Sequence, residues 1–526
     1  MASEKGNHRE SEAVLLLDKG KRGLFHLIFG RTAVITLLLA AQLLLLFLAF
    51  WRLGERYFGA AGLLSLVMAL VVVNRRRENP AMKITWILLI TLVPVFGVPF
   101  YIFVESEIGH RLARRLLEEI NKKTACYAVP DPGALERLRE WDPGAAGLAG
   151  YMARTGGHPV YENSDVKYLS SGEDAFAEIL RQLEQAKDFI FLEFFIIEEG
   201  YMWGRILSLL ERKAREGVEV RVLYDGTCVF GKLPYQYPKE LEKLGIRCKM
   251  YAPLTPLVST HYNNRDHRKI LVVDGRAAFT GGVNLADEYI NRKVIHGHWK
   301  DTAVMVSGQA VRSFTLMFLQ MWNVSARGEE DYLRYLDASA PVAGQGWVLP
   351  YGDSPFDEEY SGELVYMDIL NRAARYVHIM TPYLILDNEM ITALTFAAKR
   401  GVDVKLIVPA VPDKKTVFAL TWANYRELIE AGVEIWEYTP GFVHAKMFVS
   451  DDRAAVVGSI NLDYRSLYLH FECAALLWGC PAVADVERDM QETLQKCRRI
   501  TAEDCKKQKL GRRILGWLLR PMGPLA

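Results

Sequence analysis

Two stretches of this chain place an imidazole, an ammonium and a carboxylate at identical spacing. His267-Arg268-Lys269 runs on to Asp274, and His444-Ala445-Lys446 runs on to Asp451, so both read H-x-K-x-x-x-x-D. Each then reaches an amide at the same offset, Asn284 in Gly281-Gly282-Val283-Asn284 and Asn461 in Gly458-Ser459-Ile460-Asn461. One such triplet is a weak pattern in a chain of 526 residues. Two copies with the same continuation mark a repeat that carries chemistry.

Brought face to face, the copies supply two imidazoles, two ammoniums and two amides. That set suits a phosphodiester. Lys269, Lys446, Asn284 and Asn461 can hold the non-bridging oxygens and the charge that builds on them. One neutral imidazole attacks phosphorus while the other, protonated, gives its proton to the leaving alkoxide. Histidine titrates near neutral pH, so both states are accessible. An alcohol or water then attacks the phosphohistidine, and the second imidazole takes its proton. The scheme needs no metal and no cofactor. A reacting imidazole presents one nitrogen only when an acceptor fixes the other. Glu472 in His470-Phe471-Glu472 and Asp301 in Trp299-Lys300-Asp301 stand on the strands after the hairpins, and are expected to orient His444 and His267 respectively. His261, His296, His298 and His378 lack the motif and are read as ordinary loop or core residues.

The motif elements read as β-hairpins. His267 and Lys269 are two apart in an apolar, β-branched run, which puts them on one face of a strand. Asp274-Gly275 is a turn pair, and Arg276 to Thr280 reads as the returning strand, bringing Gly281-Gly282 back to His267. Asp451-Asp452 turns the second copy in the same way, returning Ser459 and Asn461 to His444. Asp274 and Asp451 thus complete each motif at the far end, as turn formers or anchors.

Around the hairpins the pattern is α/β, in two similar halves. The first has a helix over 173–185, a strand over 189–197, a helix over 202–216, and then Gly217-Val218-Glu219-Val220. The second has a helix over 367–375, a strand over 377–385, a helix over 389–399, and then Gly401-Val402-Asp403-Val404. Alternating strands and helices predict sheets covered by helices. The halves are assigned to 164–340 and 341–500, behind a connector over 108–163 that can lie along a membrane surface.

The remainder is built for lipid. Half the residues are hydrophobic although 24% are charged, which joins an apolar part to a globular part. Residues 1–31 form a polar, basic tail. Residues 32–107 form a transmembrane region with apolar stretches at 32–51, 57–73 and 84–104, the first matching the ~20 residues that span a bilayer. Pro94, Gly97 and Pro99 predict a kink in the third. Asn74-Arg75-Arg76-Arg77 and the tail should face the cytoplasm. Three spans then put the halves outside, whereas one stretch that only dips into the bilayer keeps them inside. The segment 501–526 reads as a basic amphipathic tail suited to an anionic bilayer. A net charge of +1 argues against a nucleic-acid partner. Seven cysteines without C-x-x-C spacing argue against structural zinc and a disulfide framework.

The paired motifs resemble those of the phospholipase D superfamily. Asn264-Arg265-Asp266-His267-Arg268-Lys269-Ile270-Leu271, Gly458-Ser459-Ile460-Asn461-Leu462-Asp463-Tyr464-Arg465-Ser466 and the segment from Trp86 to Tyr101 are similar to its bacterial cardiolipin synthase branch. The resemblance implies two phospholipase D-like α/β sandwich halves about a pseudo-two-fold axis, preceded by N-terminal transmembrane helices, in a multi-pass protein of the bacterial cell membrane. It implies transfer of a phosphatidyl group from one phosphatidylglycerol to another, releasing glycerol, with His267 or His444 carrying the group and His267 preferred. Hydrolysis of phospholipids by the same fold is the alternative, ahead of a nuclease or a non-catalytic scaffold. Many relatives have Asn where this chain has Asp266, which is expected to raise the pKa of His267.

Overall fold

The structure is a computed structural model that describes Leu44, Leu48 and residues 62–525, apart from 76–78, 106–107, 253–263, 325–329 and 358. The expected N-terminal tail, the first apolar stretch (all but Leu44 and Leu48) and His261 lie outside the described residues.

Two sheets carry the hairpins. The first half contributes β1 (Ser164–Leu169), β2 (Phe189–Phe194), β3 (Glu219–Asp225), β4 (Arg247–Tyr251), β5 (Lys269–Val273), β6 (Ala277–Gly281), β7 (His298–Lys300) and β8 (Ala303–Gly308). The second contributes β9 (Trp347–Asp353), β10 (Tyr376–Met380), β11 (Leu384–Ile385), β12 (Asp403–Pro409), β13 (Glu434–Tyr438), β14 (Gly441–Val443), β15 (Met447–Ser450), β16 (Ala454–Gly458), β17 (Leu462–Asp463), β18 (Glu472–Trp478) and β19 (Cys497–Ile500). The first sheet runs β1-β8-β6-β5-β2-β3-β4, and the second, read the same way, runs β9-β18-β16-β15-β10-β12-β13 with β19 added at the edge. The repeat seen in the motifs therefore extends over the whole sheet.

Three apolar cores layer the two halves. Residues such as Trp203, Ile206 and Leu210 pack the outer face of the first sheet, and Tyr366, Leu394 and Tyr425 that of the second. Between the sheets lies a shared core in which Phe191, Val272 and Phe318 meet Met447, Val449 and Ala475. Strands buried on both faces explain the near-continuous apolar runs of β2 and β5. The segment 108–163 folds as helices, of which Ala134–Trp141 and Pro143–Thr155 bury Leu138, Ala145, Ala149 and Met152 in the second half's core. The predicted strand over 377–385 breaks after Met380, where Thr381-Pro382 intervenes before β11; proline has no N–H to continue a ladder.

No helix among the described residues is long and apolar enough to cross a membrane. The second apolar stretch is a helix over 62–73. The third is not one kinked span. It breaks at Val93 into helices Pro80–Leu92 and Pro94–Glu105 that fold back on each other. Trp86 meets Tyr101 at 5.2 Å and Phe100 at 5.9 Å, and a Cβ at Gly97 would come within 2.6 Å of the Leu89 carbonyl oxygen. Glycine is what lets the two helices touch.

Both motif aspartates sit at their turns with left-handed backbone, Asp274 at φ 52° and Asp451 at φ 56°. The Asp274 carboxylate accepts the N–H groups of Lys187, Asp188 and Phe189 at 2.9, 2.8 and 2.9 Å, capping the start of β2. Asp451 does the same for Ala374, Arg375 and Tyr376 at 2.7, 2.8 and 2.8 Å, ahead of β10. Asp274→Ala removes a charged acceptor from three donors and should lower the unfolding free energy by about 2 kcal/mol. A thermal melt should show the loss, while activity per folded molecule stays near wild type.

Candidate active site

The hairpins dock at the seam between the sheets, and main chain from opposite halves joins them. β14 pairs in parallel with β7, so the N–H of His444 donates to the carbonyl of Lys300 at 2.7 Å. Asp266 bridges Phe471, and the N–H of His267 donates to the Phe471 carbonyl at 2.9 Å. Both imidazoles are buried, as are Lys269, Lys446, Glu472 and Asp301.

The carboxylate partners cross the seam, opposite to the expected assignment. His267 Nδ1 lies 2.8 and 3.0 Å from the Glu472 oxygens, and His444 Nδ1 lies 2.7 Å from Asp301 Oδ2. Each motif histidine is thus oriented from the other half. The cause is the strand exchange just described: Phe471 and Lys300, the residues that pair with the opposite histidine's segment, directly precede Glu472 and Asp301. Two neighbours adapt to the different carboxylate lengths. A Cβ at Gly282 would lie 2.0 Å from Asp301 Oδ1, whereas the equivalent Ser459 donates its hydroxyl to Glu472.

The two lysines face inward. Lys269 Nζ donates to the His267 carbonyl at 2.6 Å, and Lys446 Nζ donates to that of His444. Burial pushes both ammoniums down, Lys269 to about 8 and Lys446 to about 7. Burial, with the adjacent lysines, also lowers the imidazoles: His444 to about 4, against the upward pull of Asp301, and His267 well below the ordinary range. Asp301 stays below the usual carboxylate range because His444 and Lys446 outweigh its burial, while burial raises Glu472 against the pull of Lys269. Asp266 does not act on His267 as expected. Its carboxylate lies on the opposite face of the strand, 3.2 Å from Arg268 Nε, and Arg268 reaches on to Glu193.

The amides differ. Asn284 accepts from the N–H of Ile196 at 3.0 Å and donates to the Tyr289 hydroxyl at 2.7 Å. Asn461 is buried and its Oδ1 has no hydrogen-bond partner among the described residues. Around His444 stand Trp299 at 5.3 Å, Tyr289 at 5.4 Å and Phe442 at 6.0 Å; around His267 stand Phe195 at 4.8 Å and His470 at 5.5 Å. Sequence reasoning did not single out Phe195 or His470, nor the buried Arg265–Asp225 pair at 2.7 Å that holds the approach to His267. For His470 a signal existed: it lies two residues before Glu472, the place Trp299 has before Asp301. His298 and His378 are engaged elsewhere, with Tyr438 at 3.0 Å and Glu487 at 2.9 Å.

Comparison with known proteins finds the following likenesses. A family profile described as cardiolipin synthase, PLD-like domain, matches residues 179–322 and 366–494, and one described as phospholipase D-nuclease N-terminal matches 63–105. A cardiolipin synthase of Geobacillus kaustophilus is 33% identical over 508 residues, covering 94% of this chain and 99% of its own. An uncharacterised Streptococcus mutans protein is 50% identical over 457 residues, covering 87% of this chain and 99% of its own. The crystal structure of a phosphatidylserine synthase from Haemophilus influenzae superposes with a TM-score of 0.53 at 14% identity, covering 69% of this chain and 93% of that one, which supports the fold.

The lysines give the site a pH signature. A lysine lowered to about 7 or 8 is charged below that pH and loses its charge above it. Binding of an anionic phosphodiester should therefore weaken as pH rises, and kcat/KM should fall through pH 7 to 8. A pH–rate profile flat to pH 9 would contradict this.

Proposed function

The chain belongs to the cardiolipin synthase family of phospholipase D-like proteins, and on that premise we propose that it transfers a phosphatidyl group from one phosphatidylglycerol to another, giving cardiolipin and glycerol. The single observation that carries the reading is the convergence of His267 and His444 on one buried seam, each with a carboxylate at Nδ1. That contact holds Nε2 of each ring free to react.

The roles divide as follows. Lys269, Lys446 and Asn461 grip the non-bridging oxygens, while Asn284, bonded to Ile196 and Tyr289, braces the wall. One imidazole attacks phosphorus through Nε2. The other donates a proton to the departing glycerol oxygen. In the second half-reaction an acceptor hydroxyl attacks the phosphohistidine, the nitrogen–phosphorus bond breaks with its electron pair returning to the ring, and the hydroxyl proton passes to the second imidazole. Burial lowers both imidazoles in the free site, and the incoming anionic phosphodiester favours the protonated form of the acid. Asp301 and Glu472 hold the rings and stabilise the imidazolium.

Membrane attachment is supported by the apolar sequence of residues 32–107. Helices Pro80–Leu92 and Pro94–Glu105 are each about 20 Å long, short of the ~30 Å apolar thickness of a bilayer. We infer a hairpin that enters and leaves on one side. The basic run Asn74-Arg75-Arg76-Arg77 ahead of that hairpin then shares its side with the catalytic halves, the cytoplasmic side by the distribution of positive charge. At the other end, helix Leu510–Leu519 packs Gly516 against Ala419 and leaves Leu510, Trp517 and Leu518 exposed beside Arg512 and Arg513, which suits an anionic lipid surface.

Purified protein given phosphatidylglycerol vesicles alone should release glycerol and cardiolipin in equal amounts. Phosphatidic acid as the main product would favour a lipase. His267→Ala and His444→Ala should each reduce turnover by about a thousandfold or more with the fold intact. Membrane side is read at Cys126, an exposed thiol ahead of the sheets. An impermeant maleimide should label it in inside-out vesicles and spare it in intact protoplasts; the reverse pattern would place the catalytic halves outside.

A further inference from the structure

The pseudo-two-fold axis pairs Asp301 with Glu472, and so pairs Trp299 with His470. Trp299 lies 5.3 Å from the ring of His444, and His470 lies 5.5 Å from the ring of His267. Both side chains come from the half opposite the histidine they face. The site is therefore near-symmetric in its reacting groups and asymmetric in the rings beside them.

The two rings differ in hydrogen-bonding capacity. The Trp299 indole has one donor and no acceptor, and its Nε1 has no hydrogen-bond partner among the described residues. A neutral imidazole has one donor and one acceptor, and neither nitrogen of His470 has a hydrogen-bond partner among the described residues, Glu472 Oε1 lying 3.9 Å from Nδ1, although the residue is only 8% exposed. Leaving such buried groups unpaired is unfavourable, so an aqueous or ligand partner is expected at both. Around it the polar atoms are largely committed: Nδ1 of His267 to Glu472, Lys269 to the His267 carbonyl, Ser459 to Glu472. Phosphoryl and ester oxygens only accept hydrogen bonds, and a donor such as Trp299 suffices for them. A hydroxyl, unlike these oxygens, can also donate to the acceptor nitrogen of His470.

We propose that His470 is the acceptor-selecting residue of the site, binding a free hydroxyl of the glycerol headgroup and so favouring a lipid alcohol over water. The inference rests on the transfer reaction and deepens it. Phosphatidylglycerol has two free headgroup hydroxyls. One attacks phosphorus, and the other donates to His470, which itself gives up no proton and forms no covalent bond. Water has no second hydroxyl on a carbon frame to anchor it, so the contact works for transfer and against hydrolysis. A site built to bond a hydroxyl discriminates strongly against reactants that lack one.

The same imidazole belongs to a second possible grouping. A donor atom from each of His267, His470 and Glu472 lies within 4.8 Å of the others, a geometry that could ligate a metal ion. The experiment separates the two. Wild type, His470→Phe and His470→Asn are given phosphatidylglycerol vesicles with radiolabelled glycerol, with and without EDTA. Phe keeps a ring opposite Trp299's position but loses both nitrogens; Asn keeps a donor and an acceptor. The ratio of cardiolipin to phosphatidic acid, and incorporation of labelled glycerol into phosphatidylglycerol, should each fall at least about tenfold in His470→Phe and recover most of that in His470→Asn. Phosphatidic acid should fall less than cardiolipin, so that the ratio and not the total turnover reads the role. An unchanged product ratio in His470→Phe, or an equal fall in every product, would overturn the assignment and leave His470 a packing residue. Loss of wild-type activity in EDTA would overturn it in favour of a metal. Wild type yielding phosphatidic acid alone, with no glycerol incorporated, would defeat the synthase reading itself and is recognisable as such before any variant is compared.

Discussion

The fold depends on an exchange across the seam between the halves. Phe471 takes the N–H of His267 and Lys300 takes that of His444. One residue further on, Glu472 and Asp301 take the Nδ1 of the same two rings. Neither half contains a finished imidazole–carboxylate pair of its own. An isolated half would leave its buried carboxylate without the imidazole that it orients, and breaking a buried pair of this kind costs about 3–5 kcal/mol. The chemistry and the association of the halves therefore draw on the same contacts.

The rest of the architecture serves that seam. The shared core from Phe191 to Val449 brings the inner faces of the two sheets together, and the turn aspartates cap β2 and β10 at the far end of each hairpin. A ring of ion pairs stands behind the pocket: Arg265 with Asp225, and Arg268 with Glu193 and Asp266. Arg268 and Asp266 lie on the face of the His267 strand that carries Ile270 and Val272 into the shared core, so that the other face presents His267 and Lys269. The lowered lysines and imidazoles follow from that dryness. Cations crowded in a buried pocket shed protons until an anion arrives, which suits a site that grips one phosphate at a time.

Near-symmetry raises a problem that small differences resolve. Two halves of common design offer a phosphodiester two equivalent approaches. Asn284 is bonded to its surroundings where Asn461 has an unpartnered oxygen, and Trp299 stands where its mate is His470. Gly282 and Ser459 accommodate an aspartate on one side and a glutamate on the other. Such substitutions leave the sheets alone and differentiate the two sides of the pocket.

By itself the amino-acid sequence determined the reacting groups and the frame that repeats them. The H-x-K pair on one strand face, the aspartate turn and the returning amide all follow from local periodicity and turn chemistry, which act over fewer than about twenty residues. The α/β character followed from the same short-range patterns. Which carboxylate serves which histidine did not, because that depends on how β14 meets β7 and how Asp266 meets Phe471, across gaps of more than a hundred residues. The side of the strand to which Asp266 turns, and the break at Val93 that folds an apolar stretch back on itself, likewise became visible only in three dimensions. Composition and spacing record what each residue can do; only packing settles what it does it to.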